Sequence, residues 1–167
     1  MYNMSGSEWE TSPAMFGPKN ALEFDGVDDY VSLSGLGVNL SANHKTTVEF
    51  WMYWDGTNNV MPFGWNGYDL WLYNGDLGFN SGNSDLLGIS SSGMSNTWIH
   101  VAAIFNNGDI TQSSLYINGV EQSLSQKMGT PVSASISSNA IIGSWVSCDG
   151  YFFDGKIDEL RIWDGAR

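Results

Sequence analysis

The sequence predicts an all-β sandwich or jelly roll, on three observations. No apolar stripe at helical spacing persists for a useful length. Short runs rich in Val, Ile, Thr, Phe, Tyr and Trp recur along the chain between segments rich in Gly, Ser and Asn. Asn74-Gly75 and Asn118-Gly119 each stand between apolar runs, where a tight hairpin needs two positive φ angles that Asn and Gly adopt at least cost.

Taken in order, the clearest strand is "TVEFWMYW" (47 to 54). Its alternation puts Val48, Phe50, Met52 and Trp54 on one face and Thr47, Glu49, Trp51 and Tyr53 on the other. "YDLWLY" (68 to 73) repeats the pattern, with Tyr68, Leu70 and Leu72 opposite Asp69, Trp71 and Tyr73. An antiparallel sandwich usually turns a polar face outward, so Trp51, Tyr53, Trp71 and Tyr73 call for either a covering loop or a ligand. The Ser- and Asn-rich stretch 80 to 96 reads as loop. "WIHVAAIF" (98 to 105), "SLYING" (114 to 119) and "AIIG" (140 to 143) follow as strands rich in branched and aromatic residues. The last, "KIDELRIW" (156 to 163), places Asp158 by alternation on the face of Leu160 and Ile162, which are core residues if the strand lies within the sandwich. Trp54, Trp98 and Trp163 are assigned to the core, and Trp65 and Trp145, flanked by Gly, Asn and Ser, to the surface.

At 167 residues the chain is one domain long, with residues 1–18 as an extension ahead of, or joining, the first strand. Six basic residues against 18 acidic ones give a net charge of -12, which repels nucleic acid and anionic membrane surfaces. The single cysteine, Cys148, excludes an internal disulfide and is expected to be a buried small hydrophobe. No apolar run approaches the ~18 residues of a membrane span. The start "MYNMSGSEWE" lacks the pattern of a signal peptide, so the chain is expected to be either cytosolic or a module of a longer exported chain; the end "RIWDGAR", just past a strand, favours the second, an extracellular module beside other domains, and a monomer is expected.

"ALEFDGVDDYVSL", "TVEFWMYWDG", "TWIHVAAIF", "LYINGVEQ" and "YFFDGKIDELRIWDGAR" together resemble, in order and approximate spacing, the laminin-G-like or concanavalin A-like jelly-roll family of secreted bacterial proteins, over residues 21 to 167. The resemblance implies a two-sheet antiparallel jelly roll, a carbohydrate-binding module and a structural calcium ion. A carboxylate at the core needs a partner, and with six basic residues in the chain a cation is expected to supply it. Calcium suits, because it accepts six to eight oxygens in irregular geometry. The resemblance places the loop after "EF" beside the last strand, so that Asp25 and Asp158 would be side-chain ligands, Gly26 a carbonyl ligand and Asp28 a further candidate, with Asp29 left in a solvated turn.

For the sugar, the C–H faces of pyranose rings stack on aromatic side chains while hydroxyls need amides or carboxylates at the rim. The segment 62 to 80 offers Trp65, Tyr68, Trp71 and Tyr73 with Asn66, Asp69 and Asn74, and 143 to 153 offers Trp145, Asp149 and Tyr151 as a second wall. The net charge favours a neutral poly- or oligosaccharide over an anionic one. Glycoside hydrolases of the laminarinase type share such jelly rolls but carry paired carboxylates on one strand, a pattern missing here, so a non-enzyme is expected. A protein-interaction or adhesion domain of laminin-G type is the alternative. His100, within a strand, is read as structural, and His44 as a loop residue without a ligand pattern.

Overall fold

The computed structural model describes Trp9–Ser12 and residues 19–167. Fourteen strands run through the described residues: β1 (Trp9–Ser12), β2 (Lys19–Asp25), β3 (Val31–Leu33), β4 (Lys45–Trp54), β5 (Val60–Gly64), β6 (Asp69–Tyr73), β7 (Asp76–Asn80), β8 (Leu86–Ser90), β9 (Trp98–Asn106), β10 (Ser114–Ile117), β11 (Val120–Glu121), β12 (Ser125–Met128), β13 (Ala140–Ile142) and β14 (Asp154–Trp163). A 3-10 turn at Ile110–Gln112 precedes β10, and no α-helix occurs among the described residues. Of the extension expected at 1–18, Trp9–Ser12 pairs with β2, and the rest lies outside the described residues.

The strands form two antiparallel sheets in a jelly-roll sandwich. The first has the order β1-β2-β14-β4-β9-β10-β11 and the second β12-β8-β7-β6-β5-β13-β3. Both Asn-Gly turns take the two positive φ angles expected of them, 54° and 85° at Asn74-Gly75 and 51° and 77° at Asn118-Gly119. The stretch 80 to 96 is not all loop, because Leu86–Ser90 adds β8 to the second sheet.

The core lies between the sheets. Val48, Phe50, Met52 and Trp54 all face inward, as alternation requires, and meet Phe63, Leu70, Leu72, Leu77 and Phe79 from the second sheet within one apolar cluster. Each such side chain contributes roughly 1.5–3 kcal/mol through its burial. Phe105 is the hub of an aromatic group, with edge-on contacts to Trp65, Tyr68 and Phe79 at 6.0, 4.9 and 5.1 Å.

Several expectations change. Trp65 is fully buried: β5 continues its alternation past Gly64, and the indole takes the inward position beside Phe63 at 5.2 Å. Trp98 and Trp163 are half-buried on the outer face of the first sheet instead of in the core, and Cys148 is half-buried in a loop. Asp158 is on the outer face as well. It pairs with Trp51, whereas Arg161 pairs with Glu49, so β14 carries one extra residue between them and Glu159 takes φ 54°. That bulge reverses the alternation, so Leu160 and Ile162 pack on the core while Asp158 points the other way.

Candidate functional site

The outer face of the second sheet carries the aromatic pair anticipated at Trp71 and Tyr73. Because β6 turns Tyr68, Leu70 and Leu72 inward, Asp69, Trp71 and Tyr73 must project outward. The Trp71 and Tyr73 rings stack at 4.5 Å and 25°. Residues 143–153 fold over them. Gly143 and Phe153 pin the ends of this loop, since the Phe153 N–H donates to the Gly143 carbonyl at 2.8 Å and the Gly143 N–H to Pro62 at 3.0 Å. Gly143 must be glycine: its φ is 85°, and a Cβ there would collide with the Phe24 ring. Inside the loop, the Met61 N–H donates to the Tyr151 carbonyl at 2.9 Å, which lays Tyr151 edge-on to Trp71 at 6.0 Å and Trp145 edge-on to Tyr151 at 5.7 Å.

The result is a second, smaller apolar cluster outside the sandwich, in which Met61, Trp71 and Leu86 are buried and Tyr73, Met128, Trp145 and Tyr151 are partly exposed. Trp71 is 7 % exposed, and its indole N–H donates to Asn59 Oδ1 at 3.1 Å. A cavity of about 170 Å3 opens beside it, lined by Met61, Trp71, Asn80, Gly82, Ser84, Trp145 and Tyr151.

Of the anticipated binding residues, the structure brings Trp71, Tyr73, Trp145 and Tyr151 together. Trp65 and Tyr68 belong to the core instead; the Tyr68 hydroxyl bonds Ser113 Oγ at 2.6 Å, and burial holds its pKa well above the ordinary phenol value. Asp69 is outward by register but wholly buried, its carboxyl leaning over Gly64, where a Cβ would collide with it. Neither of its oxygens has a hydrogen-bond partner among the described residues, and desolvation pushes its pKa well above the usual carboxylate range, because burial disfavours the charged form. It is therefore not a rim group for a ligand. Asn66 lines a separate cavity of about 410 Å3 together with Trp65 and Val146. Asn74 is at the tip of its hairpin, and Asp149, exposed in the covering loop, accepts from the Ser147 hydroxyl. Sequence reasoning missed Met61, Asn80, Gly82 and Ser84. The signal for the last three was present in the Asn-Ser-Gly composition of 80 to 84, a turn braced when Asn80 Oδ1 accepts the Gly82 N–H at 3.0 Å.

A second cluster lies at the end of the first sheet. Asp25, Asp28 and Asp29 place carboxylate oxygens within 4.8 Å of one another. Asp29 is 6 % exposed, not in a solvated turn, because its Oδ2 accepts the Asp25 N–H at 3.1 Å. The strand register sets Asp154, rather than Asp158, opposite Asp25. Asp158 is four residues further along β14, roughly 13 Å away at strand rise, and its Oδ1 accepts the Glu159 N–H. Gly26, with φ 75°, packs against the Asp154 carboxylate. The Asp154 pKa is raised, first by desolvation and then by the charge of Asp55. The missed partner was legible in a repeated tripeptide: Phe24-Asp25-Gly26 and Phe153-Asp154-Gly155 face each other across β2 and β14, their Phe rings edge-on at 6.0 Å.

The family model described as the concanavalin A-like lectin/glucanases superfamily matches residues 25–167. The chain belongs to that superfamily. Solved structures of this lectin-like fold that resemble the chain include domain 4 of AbnA, a GH43 extracellular arabinanase from Geobacillus stearothermophilus in complex with arabinotriose, at 23 % identity and TM-score 0.59, covering 98 % of this chain and 78 % of that one. The botulinum neurotoxin serotype D ligand-binding domain in complex with N-acetylneuraminic acid is similar at 16 % identity and TM-score 0.62, covering 97 % of this chain and 42 % of that one. Domains LG4-5 of the mouse laminin alpha1 chain are similar at 14 % identity and TM-score 0.58, covering 93 % of this chain and 44 % of that one. No curated protein sequence matches the chain. Among the described residues, no helix is long and apolar enough to cross a membrane.

Proposed function

We propose that this lectin-like domain is a non-catalytic, extracellular carbohydrate-binding module that takes a neutral poly- or oligosaccharide at the Trp71 cavity. The observation that carries the reading is an aromatic cluster assembled outside the core, partly exposed, beside a cavity lined by aromatic, amide and hydroxyl side chains with no charged group. Such surfaces offer stacking faces and neutral hydrogen-bonding groups together, which is what a hydroxylated ring requires. The arabinotriose and N-acetylneuraminic acid complexes of similar folds support the ligand class. The lining supports binding over hydrolysis: glycosidases need two carboxyl groups about 5–9.5 Å apart around the scissile bond, and the residues that line this cavity include no carboxylate. A glycan array followed by calorimetry tests the reading. Micromolar binding to a neutral glycan, about -8 kcal/mol, is expected; failure to retain any glycan, or release of reducing ends by the purified chain, contradicts it.

The same reading includes a structural calcium ion. Asp25, Asp28 and Asp29 supply an all-oxygen donor set suited to a hard cation, Asp154 adds a carboxylate beside Gly26, and Asp25, Asp28 and Asp154 have no Lys or Arg partner among the described residues. Calcium would neutralise this concentration of charge and tie the β2–β3 turn to β14. Bound at a hundredfold excess over its dissociation constant, it would stabilise the fold by about 2.7 kcal/mol. EDTA should lower the melting temperature, Asp25→Ala should reproduce that loss, and Asp158→Ala should leave the EDTA response intact. A melt indifferent to EDTA, in protein free of metal, removes calcium from the account.

A further inference from the structure

The Trp71 cavity has a shape that narrows the ligand further. A glycan with a flat two-fold backbone, bound along its length, presents successive ring faces in one direction, and platforms that serve it lie in roughly one plane. Here consecutive rings stand nearly perpendicular: Trp145 to Tyr151 at 74°, and Tyr151 to Trp71 at 83°. The rings make a corner, not a track. Trp71 is already stacked by Tyr73 and is 7 % exposed, so it serves as floor and leaves the partly exposed Trp145 and Tyr151 as stacking faces.

The opposite wall is firm. Gly82 and Ser84 belong to a turn braced by the buried Asp85, whose Oδ1 accepts the backbone N–H groups of Ser81 at 3.0 Å and Asn83 at 3.3 Å. The volume of this open cavity, about 170 Å3, is well below the roughly 300–1,000 Å3 of pockets that surround drug-sized ligands, a size that suits one sugar ring. Polar groups at hand are neutral: the Ser84 and Tyr151 hydroxyls, and the Asn80 side-chain amide, whose oxygen accepts the Gly82 N–H. A carboxylated sugar would find no cation in this lining.

We propose that the cavity grips the terminal residue of a neutral glycan end-on, instead of a stretch within a chain; this rests on the carbohydrate-binding reading above. Calorimetry with mono- to hexasaccharide ladders derived from arabinan, xylan and β-glucan tests it. On the ladder that binds, full affinity should be reached by the trisaccharide and change less than threefold up to the hexasaccharide, and Trp145→Ala should weaken every length at least tenfold. Binding capacity per gram of the parent polysaccharide should rise in proportion to chain ends after brief endo-hydrolysis. Growth of threefold or more from tri- to hexasaccharide, or capacity indifferent to chain ends, overturns end-on recognition while leaving the carbohydrate-binding function standing. Failure of every ladder to bind overturns both.

Discussion

Trp71 on β6 and Trp51 on β4 occupy equivalent places, outward positions on strands near the middle of their sheets, yet they have opposite surroundings. Trp71 is enclosed by Met61, Trp145 and Tyr151 and retains 7 % exposure. Trp51 remains partly exposed, edge-on to His100 at 5.4 Å across the β4–β9 ladder, while Tyr53 leans on Trp98 at 5.8 Å. On the first sheet the aromatics cover one another strand to strand. On the second a loop from more than 70 residues away completes the cover. Pleat alternation assigns a side chain to a face, but whether that face becomes a cavity depends on long-range chain placement.

The sharpest way to break this comparison is to truncate both residues. Trp71→Ala removes an enclosed indole and its bond to Asn59, and should cost about 3–5 kcal/mol in chemical denaturation. Trp51→Ala removes cross-strand contacts on an open face and should cost about 1 kcal/mol or less. Equal losses would show that the loop does not enclose Trp71 as described.

The carboxylates of the two faces differ in the same direction. Glu49, on the open face, accepts the Trp163 indole N–H at 2.9 Å and is 3.8 Å from His100. Asp69, under the covered face, has no hydrogen-bond partner among the described residues and a raised pKa caused by desolvation. In the unfolded chain its carboxyl ionises near its ordinary value of 3.8, while in the fold burial moves that ionisation to higher pH. Between those two values the folded state binds more protons, so this group's contribution makes stability fall as pH rises from the ordinary carboxylate range through the folded pKa, then level off. Asp69→Asn keeps the shape without the ionisation. Its stability relative to the parent should therefore improve steadily over that interval; a difference independent of pH would show that burial does not raise the Asp69 pKa.

Much of the architecture was legible. The inward set Val48, Phe50, Met52 and Trp54 and both Asn-Gly turns follow from period-2 alternation and from φ preferences, which are local properties. Expectations changed where a local rule is interrupted by something the pattern does not encode. One added residue at Glu159 moves Asp158 to the opposite face, and with it one member of the expected calcium set. Flanking Gly and Asn suggested an exposed Trp65, but β5 carries its alternation one residue further and seats the indole against Phe105. Trp71, Tyr73, Trp145 and Tyr151 were identifiable as residue types suited to sugar, whereas their convergence depends on the Gly143 turn and the Met61–Tyr151 bond. Asp29 and Asp154 depend on register in the same way, although the paired Phe-Asp-Gly segments hinted at it.

The most direct test of the account is to ask which face binds. Calorimetry on a neutral oligosaccharide that the parent retains should be run on Trp145→Ala and on Trp98→Ala, each checked by thermal melt for an intact fold. Both side chains are partly exposed aromatics, one at the loop-walled cavity and one on the open face of the first sheet. The account predicts at least a tenfold loss of affinity for Trp145→Ala and affinity within twofold of the parent for Trp98→Ala. The reverse pattern would place the sugar on the first sheet and contradict the assignment of the Trp71 cavity.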